Sequence, residues 1–368
     1  MNRRIAEVLA YGLSHSQLAL TAQQHKVLNH ILACGTQAMG EVLFRCQQCG
    51  FESRQPASCR DRHCPQCQYH ATQQWCSARA KDVLPVRYFH LVFTLPSELN
   101  GWVACHSAVL YRLLFESVWQ TLQVFGQDPK RLNGQLGMIS VLHTWGQTLT
   151  RHVHLHCLLP GGALSEQGDW QAARSNYLFP VKALSRQFRG RMVSALRGAY
   201  QKGLLAQLSG EQVDTVLTQL MQKNWVVYSK PALYGSEKLI DYLGRYTRRI
   251  ALTPNRLQGF DGEHVRLRYH DYRDNRAKSM ILSATELLRR FVQHILPKGF
   301  MRVRHYGFLA NSVRRVRLRQ IRDAIACEEK PATKEMSQST SCCPQCGQQQ
   351  WQIVRLNYFS YRMHWRPG

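Results

Sequence analysis

The chain has 368 residues, 44% of them hydrophobic, and a net charge of +25 from 48 basic and 23 acidic residues. That length allows about two or three domains with sizeable cores, and no apolar run reaches the roughly 20 residues of a membrane span. The charge excludes an enzyme built only for small neutral substrates. It requires a polyanion, with nucleic acid as the default partner and an anionic membrane the weaker option.

The opening MNRRIAEVLAYGLSHSQLAL is basic, but its apolar residues recur at helical spacing among polar ones, so it reads as a helix and not as a signal peptide. The 13 cysteines are odd in number and include CxxC pairs. They fit metal-bound thiolates in a reducing cytoplasm better than a disulfide framework, so a cytoplasmic, nucleoid-associated protein is expected. The stretch RCQQCGFESRQPASCRDRHCPQCQ carries Cys46 with Cys49 and Cys64 with Cys67, 14 residues apart. Each CxxC turn aims two thiolates at one point, and two such turns complete the tetrahedron of a structural zinc. Cys59 and His63 lie between the pairs and leave the ligand set open.

After Pro85 the texture changes. RYFHLVFTLPSEL predicts a buried strand ending at Pro96, residues 102–125 a helix, and LGMISVLHTWGQTLTRHVHLHCLLPGG two strands joined by a turn near residues 146–150. On the second strand His152, His154 and His156 alternate, so their rings share one face while Val153 and Leu155 face a core. Neighbouring histidines on one strand face can bind one divalent metal through neutral ring nitrogens.

Residues 181–223 read as a long helical stretch, NWVVYSKP as a short strand, residues 236–250 as a helix and HVRLRYHDYR as an alternating segment. Tyr242 and Tyr246 lie four apart on one helix face. Arg245, Arg248 and Arg249 beside them could hold phosphates. Basic residues recur at Arg266, Arg268, Arg273, Arg276 and Lys278, and again over residues 302–322. A polar linker, residues 328–341, leads into CCPQCG, half of a metal knuckle with no second pair downstream; Cys327 or His364 are candidate further ligands. No Gly-rich phosphate loop occurs, and no nucleotide cofactor is expected.

Taken in order, CQQCG…CRDRHCPQCQ, FHLVFTLP, VLHTWGQ, HVHLHCLLPGG, YLGRYTRRIAL and LPKGFMRVRHYGFLAN resemble the HUH rolling-circle transposases of the insertion sequence 91 type, relatives of plasmid replication initiators. The resemblance covers most of the chain. It implies an α+β HUH endonuclease fold, with a central antiparallel sheet flanked by helices and preceded by a small zinc-binding domain. The expected organisation is a helical and zinc-binding region at 1–82, the tyrosine nuclease at 83–300 and a basic C-terminal region with the CxxC knuckle at 301–368.

By the same resemblance, His154 and His156 hold Mg²⁺ or Mn²⁺, with His152 and His154 as the competing register. Tyr246 is the nucleophile, Tyr242 its partner if two tyrosines act. A third metal ligand is expected from Gln147, or else from Asp241. Lys278 and the pair His305 and Tyr306 fall in family-like stretches and are expected to touch DNA. Trp145, Trp225 and Tyr269 are aromatics available to stack on open bases. The implied function is that of an insertion-sequence DNA transposase. It nicks single-stranded or hairpin DNA at the element ends, forms a 5′-phosphotyrosine and transfers strands to target DNA. The alternatives are a replication initiator or relaxase with the same chemistry, and a non-catalytic zinc-containing DNA-binding regulator.

Overall fold

The computed structural model describes residues 4–233, 244, 251–326 and 342–357. The helix expected over residues 236–250, with Asp241, Tyr242, Arg245, Tyr246, Arg248 and Arg249, lies outside these apart from Gly244, as do Cys327, His364 and the expected linker at 328–341.

A five-stranded, wholly antiparallel sheet forms the centre. Its strands are β3 (Tyr88–Thr94), β4 (Gly137–Trp145), β5 (Arg151–Pro160), β8 (Val227–Leu233) and β12 (Val303–Gly307), in the spatial order β12-β4-β5-β3-β8. The histidine-bearing β5 is therefore the middle strand. Strand alternation sends Val153, Leu155, Cys157 and Leu159 of β5 to one face, with Phe89, Leu91 and Phe93 of β3 and Met138 and Leu142 of β4. That face is covered by α4 (Asn100–Gln127), α5 (Val181–Gln201) and α6 (Gly210–Gln222), whose Leu114, Phe115, Phe188, Leu196 and Leu217 complete the main core.

The stretch expected as one long helix, residues 181–223, is two helices. Gly203 takes a φ of +69° just past α5, and Ser209 caps α6 in a reciprocal box with Gln212.

The described segments near both termini pack against the rest of the molecule. Helices α1 (Arg4–Ser14) and α2 (Ala22–Ala33) pack Val8, Leu9 and Leu28 against a second core. That core is shared with the sheet of β9 (Leu257–Phe260), β10 (His264–Asp271) and β11 (Arg276–Ser283) and with α7 (Ala284–Val292). Gly12 permits the crossing, since a Cβ there would come within 2.5 Å of the Ala284 carbonyl oxygen. At the expected boundary near residue 300 the chain does not leave the sheet. β12 is its edge strand, and α8 (Arg314–Ala324) buries Leu318 and Ile321 beside Tyr88, Ile139 and Leu158. The last described strand, β13 (Trp351–Asn357), returns to the N-terminal hairpin of β1 (Glu41–Cys46) and β2 (Glu52–Pro56), making a sheet of order β13-β1-β2.

Candidate metal centres

Three groups of metal-ligating side chains converge among the described residues, each with its ligand atoms within 4.8 Å of one another. The first is His143, His154 and His156. The β4–β5 register sets His143 directly opposite His154 and Val141 opposite His156, which places three imidazoles on the sheet face away from the main core. Ring centroids lie 5.3 Å apart for His143 and His154, 4.4 Å for His143 and His156, and 4.8 Å for His154 and His156.

The tautomers are directed by neighbours. His154 Nδ1–H donates to the His152 carbonyl at 2.9 Å, which turns its Nε2 into the available ligand atom. His156 Nδ1 lies 2.8 Å from Nε2 of His90, which stacks on it at 5.0 Å. Burial pushes His154 down to about 4 and His90 down to about 3, so both are neutral near pH 7, the form in which imidazole binds metal. His152 shares the row but stands outside the cluster and contributes its carbonyl.

Gln147 is not directed at the triad. It lies in the hairpin turn, where its amide donates to the Tyr272 hydroxyl at 3.1 Å and accepts from the His270 N–H at 3.4 Å. His143, four residues earlier on β4, is the third member of the cluster. Lys278 sits between Asp271 and Asp274 at 2.8 and 2.7 Å, and these carboxylates raise its pKa and neutralise its charge locally. His305 lies on β12 opposite Ile139, with burial pushing it down to about 4. Trp145 stacks on His143 at 4.8 Å, whereas Trp225 is buried in the core and donates to the Leu220 carbonyl. Trp225 is therefore not available to bases.

The cysteines form two groups, not the expected set of Cys46, Cys49, Cys64 and Cys67. Cys34, Cys59, Cys64 and Cys67 make one, and Cys46, Cys49, Cys343 and Cys346 the other. The reason is topological. The turn of Cys46 and Cys49 joins β1 to β2, whereas Cys64 and Cys67 open α3 (Pro65–Ala80) and face Cys34 at the end of α2. Sulfur separations of 3.5 Å for Cys34 and Cys67 and 3.6 Å for Cys59 and Cys67 are far beyond the ~2.05 Å of a disulfide. They match the ~3.8 Å edge of a tetrahedron with Zn–S near 2.3 Å.

His63 stays out of the cluster. Its Nδ1–H donates to Asp61, and its Nε2 accepts the Leu296 N–H at 3.1 Å, latching this loop to the segment after α7. Arg62 reinforces the latch through the Pro297 carbonyl at 2.8 Å and the Phe300 carbonyl.

All residues of these sites except Cys343 and Cys346 fall within matched family models. One, described as "Transposase zinc-binding domain", matches residues 7–95, which hold six of the eight clustered cysteines. The other, described as "Putative transposase", matches residues 137–317 and so spans the histidine triad. The molecule is thus a DNA-processing enzyme of the transposase class. A protein of Sinorhizobium fredii named "Putative transposase y4qJ" is 40% identical over 376 residues, covering 96% of this chain and 94% of the relative. The "Transposase for insertion sequence element IS801" of Pseudomonas savastanoi pv. phaseolicola is 29% identical over 303 residues, 78% of this chain and 70% of that protein. The chain belongs to the transposase family of the insertion sequence 91 type. DNA is accordingly its partner, and its N-terminal region binds Zn²⁺. Among the described residues no helix is long and apolar enough to cross a membrane.

Proposed function

We propose that this transposase is a metal-dependent single-strand DNA endonuclease and strand transferase whose nucleophile is Tyr246, with Tyr242 as a second nucleophile. The observation that carries the reading is the convergence of His143, His154 and His156 on two hydrogen-bonded strands of the central sheet. A divalent ion held by the three ring nitrogens would polarise the scissile phosphate and stabilise the charge that develops on it. Three nitrogen donors rank Mn²⁺ above Mg²⁺, which prefers oxygen ligands.

The chain's own groups supply the remaining steps. The Tyr246 hydroxyl gives up its proton to solvent as its oxygen attacks phosphorus, the bond to the 3′ oxygen breaks, and that oxygen takes up a proton from solvent to become a free 3′ hydroxyl. The product is a 5′-phosphotyrosine, whose bond energy is retained for attack by another strand's 3′ hydroxyl. Arg245, Arg248 and Arg249 grip the flanking phosphates, and Trp145 and Tyr269 offer rings to unpaired bases. With two tyrosines the protein holds two DNA ends in one rolling-circle-like reaction.

The test is a covalent-capture assay. Full-length protein is incubated with end-labelled single-stranded DNA from the ends of its own element and Mn²⁺, then boiled and run on a denaturing gel. Label should travel with the wild type and be lost in Tyr246→Phe with Tyr242→Phe. Label retained by that double variant, or absent from the wild type despite tight DNA binding, would overturn the reading.

A further inference from the structure

We propose that Cys46, Cys49, Cys343 and Cys346 hold a second zinc ion, which fastens the C-terminal part of the chain to its N-terminal hairpin. Cys46 and Cys49 lie within the matched zinc-binding range, whereas Cys343 and Cys346 lie outside both matched ranges, so this site is completed by residues from beyond that region.

The geometry points to a built site. Sulfurs that are 300 and 294 positions apart in sequence, Cys46 with Cys346 and Cys49 with Cys343, both come to 3.6 Å. That spacing again suits a tetrahedral thiolate set and not a disulfide. The two halves are also copies of one backbone device. In CQQCGF the Cys46 N–H donates to the Phe51 carbonyl at 2.8 Å and the Gly50 N–H to the Cys46 carbonyl at 3.0 Å, with Gly50 at φ +76°. In CPQCGQ the Cys343 N–H donates to the Gln348 carbonyl at 2.7 Å and the Gly347 N–H to the Cys343 carbonyl at 2.8 Å, with Gly347 at φ +72°. Each turn needs its glycine for the left-handed conformation, and each aims two sulfurs at the same point.

The halves are also joined directly. Gln47 N–H donates to the Gln350 carbonyl at 2.9 Å, Cys46 pairs with Trp351 in the β1–β13 ladder, and Phe51 meets Trp351 edge to face at 6.3 Å. The ion would therefore close the whole intervening chain, including the histidine triad, into one loop whose ends share a single metal.

The experiment uses full-length, zinc-loaded wild type. Native mass spectrometry should count two zinc ions per chain beyond any held by the histidine triad, whose share is read as the difference from the same count in His143→Ala. Brief iodoacetamide labelling should modify Cys105 and Cys342, which are solvent-exposed and lie outside the clusters, while Cys49 and Cys346 react at least about tenfold more slowly despite their access to solvent. Chelation should make Cys46, Cys49, Cys343 and Cys346 reactive together. Cys343→Ser with Cys346→Ser should drop the count to one zinc and leave Cys34, Cys59, Cys64 and Cys67 protected. A count of one zinc in the wild type, Cys346 labelling as fast as Cys342, or a double variant whose count stays at two would each overturn the proposal. If the double variant fails to fold, the wild-type footprint decides.

Discussion

Replacing His143 separates the site seen here from the one the sequence suggests. His143 is buried and directly opposite His154, and its ring nitrogen is one of three donors. Deleting an outer partner of a metal ligand typically costs 10–100-fold in affinity, so removing a ligand itself costs at least about 100-fold. At about 1.36 kcal/mol per decade that is about 2.7 kcal/mol of Mn²⁺ binding. Gln147→Ala removes only the contacts to His270 and Tyr272. It should lower stability by about 1 kcal/mol and leave metal affinity unchanged. The assay is Mn²⁺ titration followed by the electron paramagnetic resonance signal of the free ion. It compares zinc-loaded wild type, His143→Ala, His143→Gln and Gln147→Ala, with thermal melts to confirm folding. Equal losses in Gln147→Ala and His143→Ala, or full affinity in His143→Ala, would refute the assignment.

Three further outcomes follow from the contacts around this frame. His90→Phe removes the partner of His156 Nδ1 and should weaken Mn²⁺ binding about tenfold, with His90→Gln restoring much of it through its amide oxygen; no change in His90→Phe would show that His90 only fills space. Arg289, with Arg290, holds the Glu286 carboxyl down to about 2 against the opposing pull of burial. A depressed folded-state value stabilises above the ordinary carboxylate range near 4.3 and is lost as pH falls through about 2, so Glu286→Gln should cost about 1 kcal/mol after solvent screening, equally at pH 6 and pH 8 and less in high salt. Urea denaturation measures this, and a gap that differs between those two pH values would contradict the ion-pair account. Gly307 has φ +59°, and an added Cβ would collide with the Leu136 carbonyl oxygen and press on the Trp119 ring, so Gly307→Ala should cost about 3 kcal/mol or more and loosen β12, read by hydrogen exchange at Val303 and His305.

What the sequence made legible was local. The buried strand ending at Pro96, the hairpin around residues 146–150 and the shared face of His154 and His156 all rest on alternation within a few residues, and β3, β4 and β5 occur there. His143 was recoverable by the same logic, because a turn at 146–150 folds it back against His154. The break in the long helix also had signals, Gly203 and the Ser209-to-Gln212 cap. The cysteine partition was not legible. The shared CxxCG pattern of Cys46–Gly50 and Cys343–Gly347 is the one hint of their pairing, and the neighbouring CxxC at Cys64 and Cys67 has the spacing of a false mate. Cys34, a lone cysteine at a helix end, carried no pattern at all. Lys278 is expected from the resemblance to touch DNA, and its ion pairs with Asp271 and Asp274 depend on a hairpin register that the local pattern does not supply.

Placing the triad on a central hairpin has a mechanical consequence. Loop-borne ligands can drift by an ångström, whereas β5 is laddered to β4 on one side and β3 on the other, so its histidines cannot shift without breaking the sheet. Three adjacent strands each contribute to one row of imidazoles: His143 from β4, His154 and His156 from β5, and His90 from β3 diagonally behind them. Behind the row, Val153, Leu155 and Cys157 are pressed into the main core. The convergence of the three ring nitrogens is therefore built into sheet and core. On the proposed reading, the binding energy of the DNA remains available for bringing phosphate and nucleophile together.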